Sequence, residues 1–130
     1  MTTAGGRKIA IHGDEDIGAH VRIVDVQEGS SDFMTEIGSY ETRPQVSVHN
    51  VMAVGDLGLI TYYQDGLRIL DLSDPENPQK IAHYHTWNGV AEGNGLSMFE
   101  GAIGVDYDNA DELIYLADTH QGLLILRLEP

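Results

Sequence analysis

Leu67-Arg68-Ile69-Leu70-Asp71-Leu72, followed by Ser73-Asp74-Pro75-Glu76-Asn77-Pro78, is the stretch from which the rest of the chain can be read. Its first half is apolar and ends on a carboxylate, as a buried strand does when it meets a turn. Its second half holds two prolines, which neither a helix interior nor a central strand accepts. The strand recurs as Val21-Arg22-Ile23-Val24-Asp25, 46 residues earlier, and as Leu123-Leu124-Ile125-Leu126-Arg127, 56 residues later. What precedes it recurs as well. Thr61-Tyr62-Tyr63-Gln64-Asp65-Gly66 answers Leu116-Ala117-Asp118-Thr119-His120-Gln121-Gly122, a strand and a polar turn with Gly before the next strand, which is a hairpin signal. Downstream, Phe33 to Thr42 matches Gln79 to Thr86.

The second unit is complete and divides into four strands, A near His49 to Val54, B near Leu59 to Tyr63, C near Leu67 to Leu72 and D near Lys80 to Tyr84. A four-stranded meander of about 40 residues has the period of a propeller blade. By the same alignment the first unit supplies B (Lys8 to His12), C (Val21 to Val26) and D (Phe33 to Tyr40) without A. The third supplies A (Ala102 to Asp106), B (Leu113 to Ala117) and C (Leu123 to Leu128) without D. The expectation is an all-β chain of about ten strands in β-propeller-type four-stranded antiparallel blades, about three of them, one complete and two partial. Residues 1–130 form a single propeller segment with blades at 7–44, 45–86 and 101–130 and a long loop at 87–100.

The Leu67 to Pro78 stretch resembles the LVIVD repeat, an L-V-I-V-D strand followed by S-D-P-x-x-P. Ser47 to Val51, Gly101 to Asp106, Ile114 to Thr119 and Gly122 to Leu126 are similar to the last blades of that family, so the likeness covers most of the chain from about Val21 onward. The resemblance implies a β-propeller and an extracellular or cell-surface location. It implies no catalytic residues, because the motif is structural. The chain departs from the pattern at Gln27-Glu28-Gly29-Ser30-Ser31, where the Pro-bearing turn is missing, and at Arg127, which stands in the Asp place.

With 21 acidic and 7 basic side chains in 130 residues, the net charge is −14. Nucleic acid and anionic membrane are then poor partners, since phosphate binding displaces counterions with Lys and Arg. The absence of cysteine removes disulfides, thiolate nucleophiles and Cys-ligated metal sites. Residues 1–30 show no signal peptide, and no apolar stretch approaches the roughly 18 residues that insert into a bilayer. If the natural protein is exported, the opening Thr2-Thr3-Ala4-Gly5-Gly6 reads as a cut site or linker rather than structure.

Propellers close with about 4 to 8 blades, so one chain of this length leaves edges and sheet faces that recruit partners. The chain is therefore expected to be a homo-oligomer that completes its ring, or a fragment that lacks the remaining blades. A self-contained β-sandwich or barrel is the competing architecture.

In such a meander the B-to-C turns and D-to-A connections share one end. That places Asp14, Asp16, His20, His49, Asp65, His85 and His120 on a candidate ligand-binding face, with Glu15 and Asp118 beside them. His49, His85 and His120 are candidate metal ligands, a set that suits zinc or another transition metal where three or four converge. Asp106, Asp108 and Asp111 alternate as in calcium loops, yet lack the Gly and distal Glu of an EF-hand. The long loop, with Gly93-Asn94-Gly95, Trp87, Met98 and Phe99, is a candidate plug or binding element, or packing against the neighbouring blade. No phosphate-cradling or nucleophile-elbow motif is present, and no cofactor is required. Two functions follow: a non-enzymatic propeller module for binding or scaffolding, or a metal-binding protein or metal-dependent enzyme working at the histidine-rich end.

Overall fold

A computed structural model describes residues 1–87 and 99–129. It is all-β, with eleven strands in three antiparallel sheets and no helix among the described residues. Sheet 1 runs β1 (Thr2–Ala4), β2 (Arg7–Gly13), β3 (Val21–Asp25), β4 (Glu36–Tyr40). Sheet 2 runs β5 (Asn50–Val54), β6 (Leu57–Thr61), β7 (Leu67–Asp71), β8 (Gln79–Tyr84). Sheet 3 holds β9 (Ala102–Asp108), β10 (Leu113–Asp118) and β11 (Gly122–Leu126), with β10 in the centre. Each sheet is a plain meander, because its strands are joined by turns too short for a crossover.

The first unit corrects the sequence reading. Its A strand exists as β1, pairing Thr2 with Ile9 and Ala4 with Arg7, so the opening residues are structure and not linker. Gly5 and Gly6, both at positive φ (56° and 76°), form the two-residue hairpin turn whose twist suits the flanking strands. The D strand is also shorter than expected and starts at Glu36. The reason is Asp25, which is 0% exposed and organises the residues between as a turn. It accepts hydrogen bonds from the Gln27 N–H at 2.7 Å and the Ser30 hydroxyl at 2.6 Å, while its carbonyl accepts from the Met34 N–H at 2.7 Å. The third sheet has the expected three strands among the described residues.

Period-two alternation decides how the sheets pack. In sheet 2 both faces are apolar. Val51, Ala53, Ile60, Tyr62, Leu70 and Leu72 meet Ile9, Val21 and Ile23 of sheet 1, joined by Val46 and Val48 from the β4–β5 connection. Met52, Leu59, Leu67 and Ile69, on the opposite face, meet Ile114, Leu116 and Leu126 of sheet 3. The middle sheet is thus covered on both sides, and each fully buried aliphatic side chain there contributes about 1.5–3 kcal/mol.

The proline turn fastens sheet 2 to sheet 1. Asp71 accepts the Ser73 N–H at 2.8 Å, and Asp74 accepts the Asn77 side-chain amide at 3.0 Å, fixing a loop that buries Pro75. Pro75 lies so close to β4 that a Cβ on Gly38 would fall on its carbonyl oxygen. Arg7 completes the joint, reaching Asp25 at 3.1 Å, Asp32 at 2.8 Å and Glu76 at 2.9 Å.

Candidate functional site

At one end of the stack, three polar contacts each tie a B-to-C turn to a D-to-A connection. Glu15, in the turn after β2, meets His49, just before β5. Arg43, in the β4–β5 connection, bonds Asp65, in the turn after β6, at 2.9 Å. Gln121, in the turn before β11, donates to the Thr86 carbonyl, just after β8.

The first contact is a three-member network. His49 Nδ1 lies 2.9 Å from Glu15 Oε1 and 2.8 Å from Tyr63 Oη, and the Tyr63 hydroxyl donates to the same Glu15 oxygen. Because the tyrosine proton goes to Glu15, the network assigns the imidazole proton to Nδ1, shared between both oxygens. The Tyr63 hydroxyl, then the His49 ring, hold the Glu15 carboxyl below its usual range against the opposing effect of burial. Burial first, and the Glu15 hydrogen bond and charge next, push the Tyr63 hydroxyl well above its ordinary value. Tyr63 therefore stays a proton donor and Glu15 an anion across the neutral range.

Tyr63 reaches this place by leaving the strand. Its φ is 41°, a left-handed conformation unusual outside glycine. Its N–H and carbonyl are paired with Ala102 at 3.1 and 3.0 Å, and Gly101 passes so close that a Cβ would fall on the Tyr63 carbonyl. The ring is flanked by His49, with centroids 4.8 Å apart, and by Phe99 at 5.5 Å.

Further along the same end, Asp118 is 6% exposed. Its Oδ1 accepts the N–H groups of His120 (2.8 Å) and Gln121 (2.9 Å). Burial works to raise this carboxyl; the facing Thr86 hydroxyl and those two N–H groups outweigh it and hold it low. Asp118 Oδ2, Thr86 Oγ1 and Trp87 Nε1 are buried without a hydrogen bond of ordinary geometry among the described residues. The Trp87 ring stands edge-on to His120 at 4.9 Å.

The remaining expected residues take structural places. Asp14 bridges Arg22 (2.9 Å) and His12 (2.7 Å), and Asp16 caps its own loop through the Ile17 N–H at 2.7 Å. His20 lies 3.9 Å from Glu36, and His120 lies 3.4 Å from Glu100. His85 is exposed. Among the described residues no three His, Asp or Glu side chains form a group that could hold a metal, so His49, His85 and His120 are not brought together. Asp106 and Asp108 accept backbone N–H groups of Tyr107 and Ala110 at 2.8 Å, and the Asp111 carbonyl accepts from Arg127 at 3.0 Å. Asp106 and Asp108 thus use their carboxylates on the backbone of that turn. Gly93-Asn94-Gly95 and Met98 lie outside the described residues.

Tyr63, Arg43 and Arg68 belong to the site and were not singled out in the sequence. Arg68 donates to the Asp65 carbonyl, so both arginines close on one turn. What the end presents chemically is a set of hydrogen-bonded carboxylates, Asp65 and Asp118 buried and Glu15 exposed, framed by Tyr63, Phe99 and Trp87. Among the described residues the only hydroxyl bonded to the His49–Glu15 pair is that of Tyr63. No protein-family model matches the chain, and no curated protein matches it.

Proposed function

We propose that the chain is a non-enzymatic segment of an LVIVD-repeat type β-propeller that binds or scaffolds a partner at the cell surface, its ring completed by further blades or by oligomerisation. The observation that carries this reading is the use to which the ionisable groups are put. Glu15, His49 and Asp65 are each bonded across adjoining turns and Asp118 holds the N–H groups of its own turn, an arrangement that fixes a surface. The repeated sheets and the Ser73-Asp74-Pro75 turn that fastens two of them support the propeller part. The acidic composition favours basic or cationic partners.

The test is an activity and metal survey of protein purified without an affinity tag or chelator. Ester, phosphate, glycoside and peptide substrates are expected to show no turnover above a His49→Ala control, and elemental analysis to show no stoichiometric transition metal. Turnover lost in the control, or one metal per chain, would overturn the reading in favour of a metal-dependent or enzymatic one.

A further inference from the structure

The outward face of sheet 3 is made from the positions that bury the other two sheets. Leu123 and Ile125 take the repeat places of Val21 and Ile23 in β3 and of Leu67 and Ile69 in β7. Val21 and Ile23 are both 0% exposed, and Leu67 and Ile69 are 1% and 4% exposed, because each pair packs on the following sheet. Leu123 and Ile125 are 65% and 59% exposed. Cross-strand pairing extends the patch, since Ala117 lies beside Leu123 and Tyr115 beside Ile125, with Asp106 next to Tyr115 on β9. The result is an apolar centre with an acidic rim on β9, an exposed patch of the kind that marks an interface.

The outward face of sheet 1 is its counterpart. Lys8 and Thr3 pair there, as do Ala10 with Val24 and His12 with Arg22. Apolar Ala10 and Val24 lie at its centre; Arg22 is paired with Asp14 and with Glu36, the neighbour of Val24 on β4, while Lys8 has no ion-pair partner among the described residues. The charge of Lys8 is opposite to those of Asp106 and Asp108. Within the chain, sheets already pack with the Leu67 and Ile69 side of one on the opposite side of the next.

Resting on the reading of the chain as an open propeller segment, we propose that the Leu123–Ile125 face receives the Lys8–Ala10–Val24 face of a second copy. The copies then stack head to tail, continuing the internal stack of sheets. Two copies supply six sheets, within the range of about 4 to 8 that closes a propeller, and a heterologous contact that closes makes a ring rather than a filament.

The test caps each face separately and reads mass by light scattering. The Leu123→Asp/Ile125→Asp variant loses the acceptor face, and Lys8→Glu/Ala10→Glu loses the donor face. These positions point away from the core, so unchanged thermal unfolding of both variants is part of the measurement. The expected result is an oligomeric wild type, each variant alone monomeric, and a one-to-one mixture that regains a dimer through its one intact pair of faces. A monomeric wild type overturns the proposal, as does a variant that still assembles alone, or a mixture that stays monomeric, which means the faces do not meet head to tail. Turnover or bound metal would remove the non-enzymatic reading above and leave this result in place, so the two fail separately.

Discussion

Asp25 shows how much a single buried carboxylate can organise. It ends the first repeat strand, accepts from Gln27 and Ser30, and pairs with Arg7, which in turn spans to Glu76 of the next sheet. The Ser30 hydroxyl is the largest influence holding this carboxyl below its usual 3.8, and it outweighs burial with help from the Gln27 N–H and Arg7. A carboxyl lowered by folding stabilises the fold at pH above its unfolded value and loses that contribution as pH falls through the folded one. Thermal unfolding is therefore expected to weaken from about pH 4 downward, and Asp25→Asn to flatten that slope while lowering stability at pH 7. At the opposite end, Tyr63→Phe removes the strongest donor to Glu15, so the Glu15 carboxyl is expected to move up toward its ordinary 4.5 in an NMR titration. Glu15 and His49 were legible as neighbours because the repeat put their turns at one end. Tyr63 was not, because its role depends on a positive φ that only the approach of Gly101 and the pairing with Ala102 impose. Convergence of the histidines was unreadable for a similar reason: the period of two gives a strand face, while the turn geometry decides where a side chain ends.

At the scale of elements, β7 and its proline turn could be read directly, since apolar spacing and two prolines are local signals. The first strand was missed. Three residues cannot display alternation, and the Gly5-Gly6 turn that defines them resembles a flexible leader when seen only as sequence. The joint between sheets 1 and 2 was equally hidden, because Gly38 and Pro75 lie far apart in the chain and their contact is a matter of close approach. Gly38→Ala forces a methyl group onto the Pro75 carbonyl. It is expected to cost about 1–3 kcal/mol, as overpacking does, measured by urea unfolding with the slope unchanged. A cost near zero would show that the proline turn is not the fastening described.

Across the whole molecule, the same repeat position has opposite energetic weight in different sheets. Ile69 is buried between sheets 2 and 3, and its truncation to Ala is expected to cost about 2–5 kcal/mol. Ile125 occupies the same place in β11 and faces outward, so Ile125→Ala in dilute protein should change stability by less than about 0.5 kcal/mol. Denaturant unfolding of both variants checks the contrast. The three-sheet order was legible because it follows from the repeat; the openness of the stack follows only from counting sheets against a ring. The most direct measurement is the solution mass of the unmodified chain by light scattering across a concentration series. Stacking of sheet 3 on sheet 1 of another copy requires a defined multiple of the monomer mass, with two copies the simplest closure. A monomer at every concentration, unfolding cooperatively, would contradict it and leave a self-contained stack of three sheets.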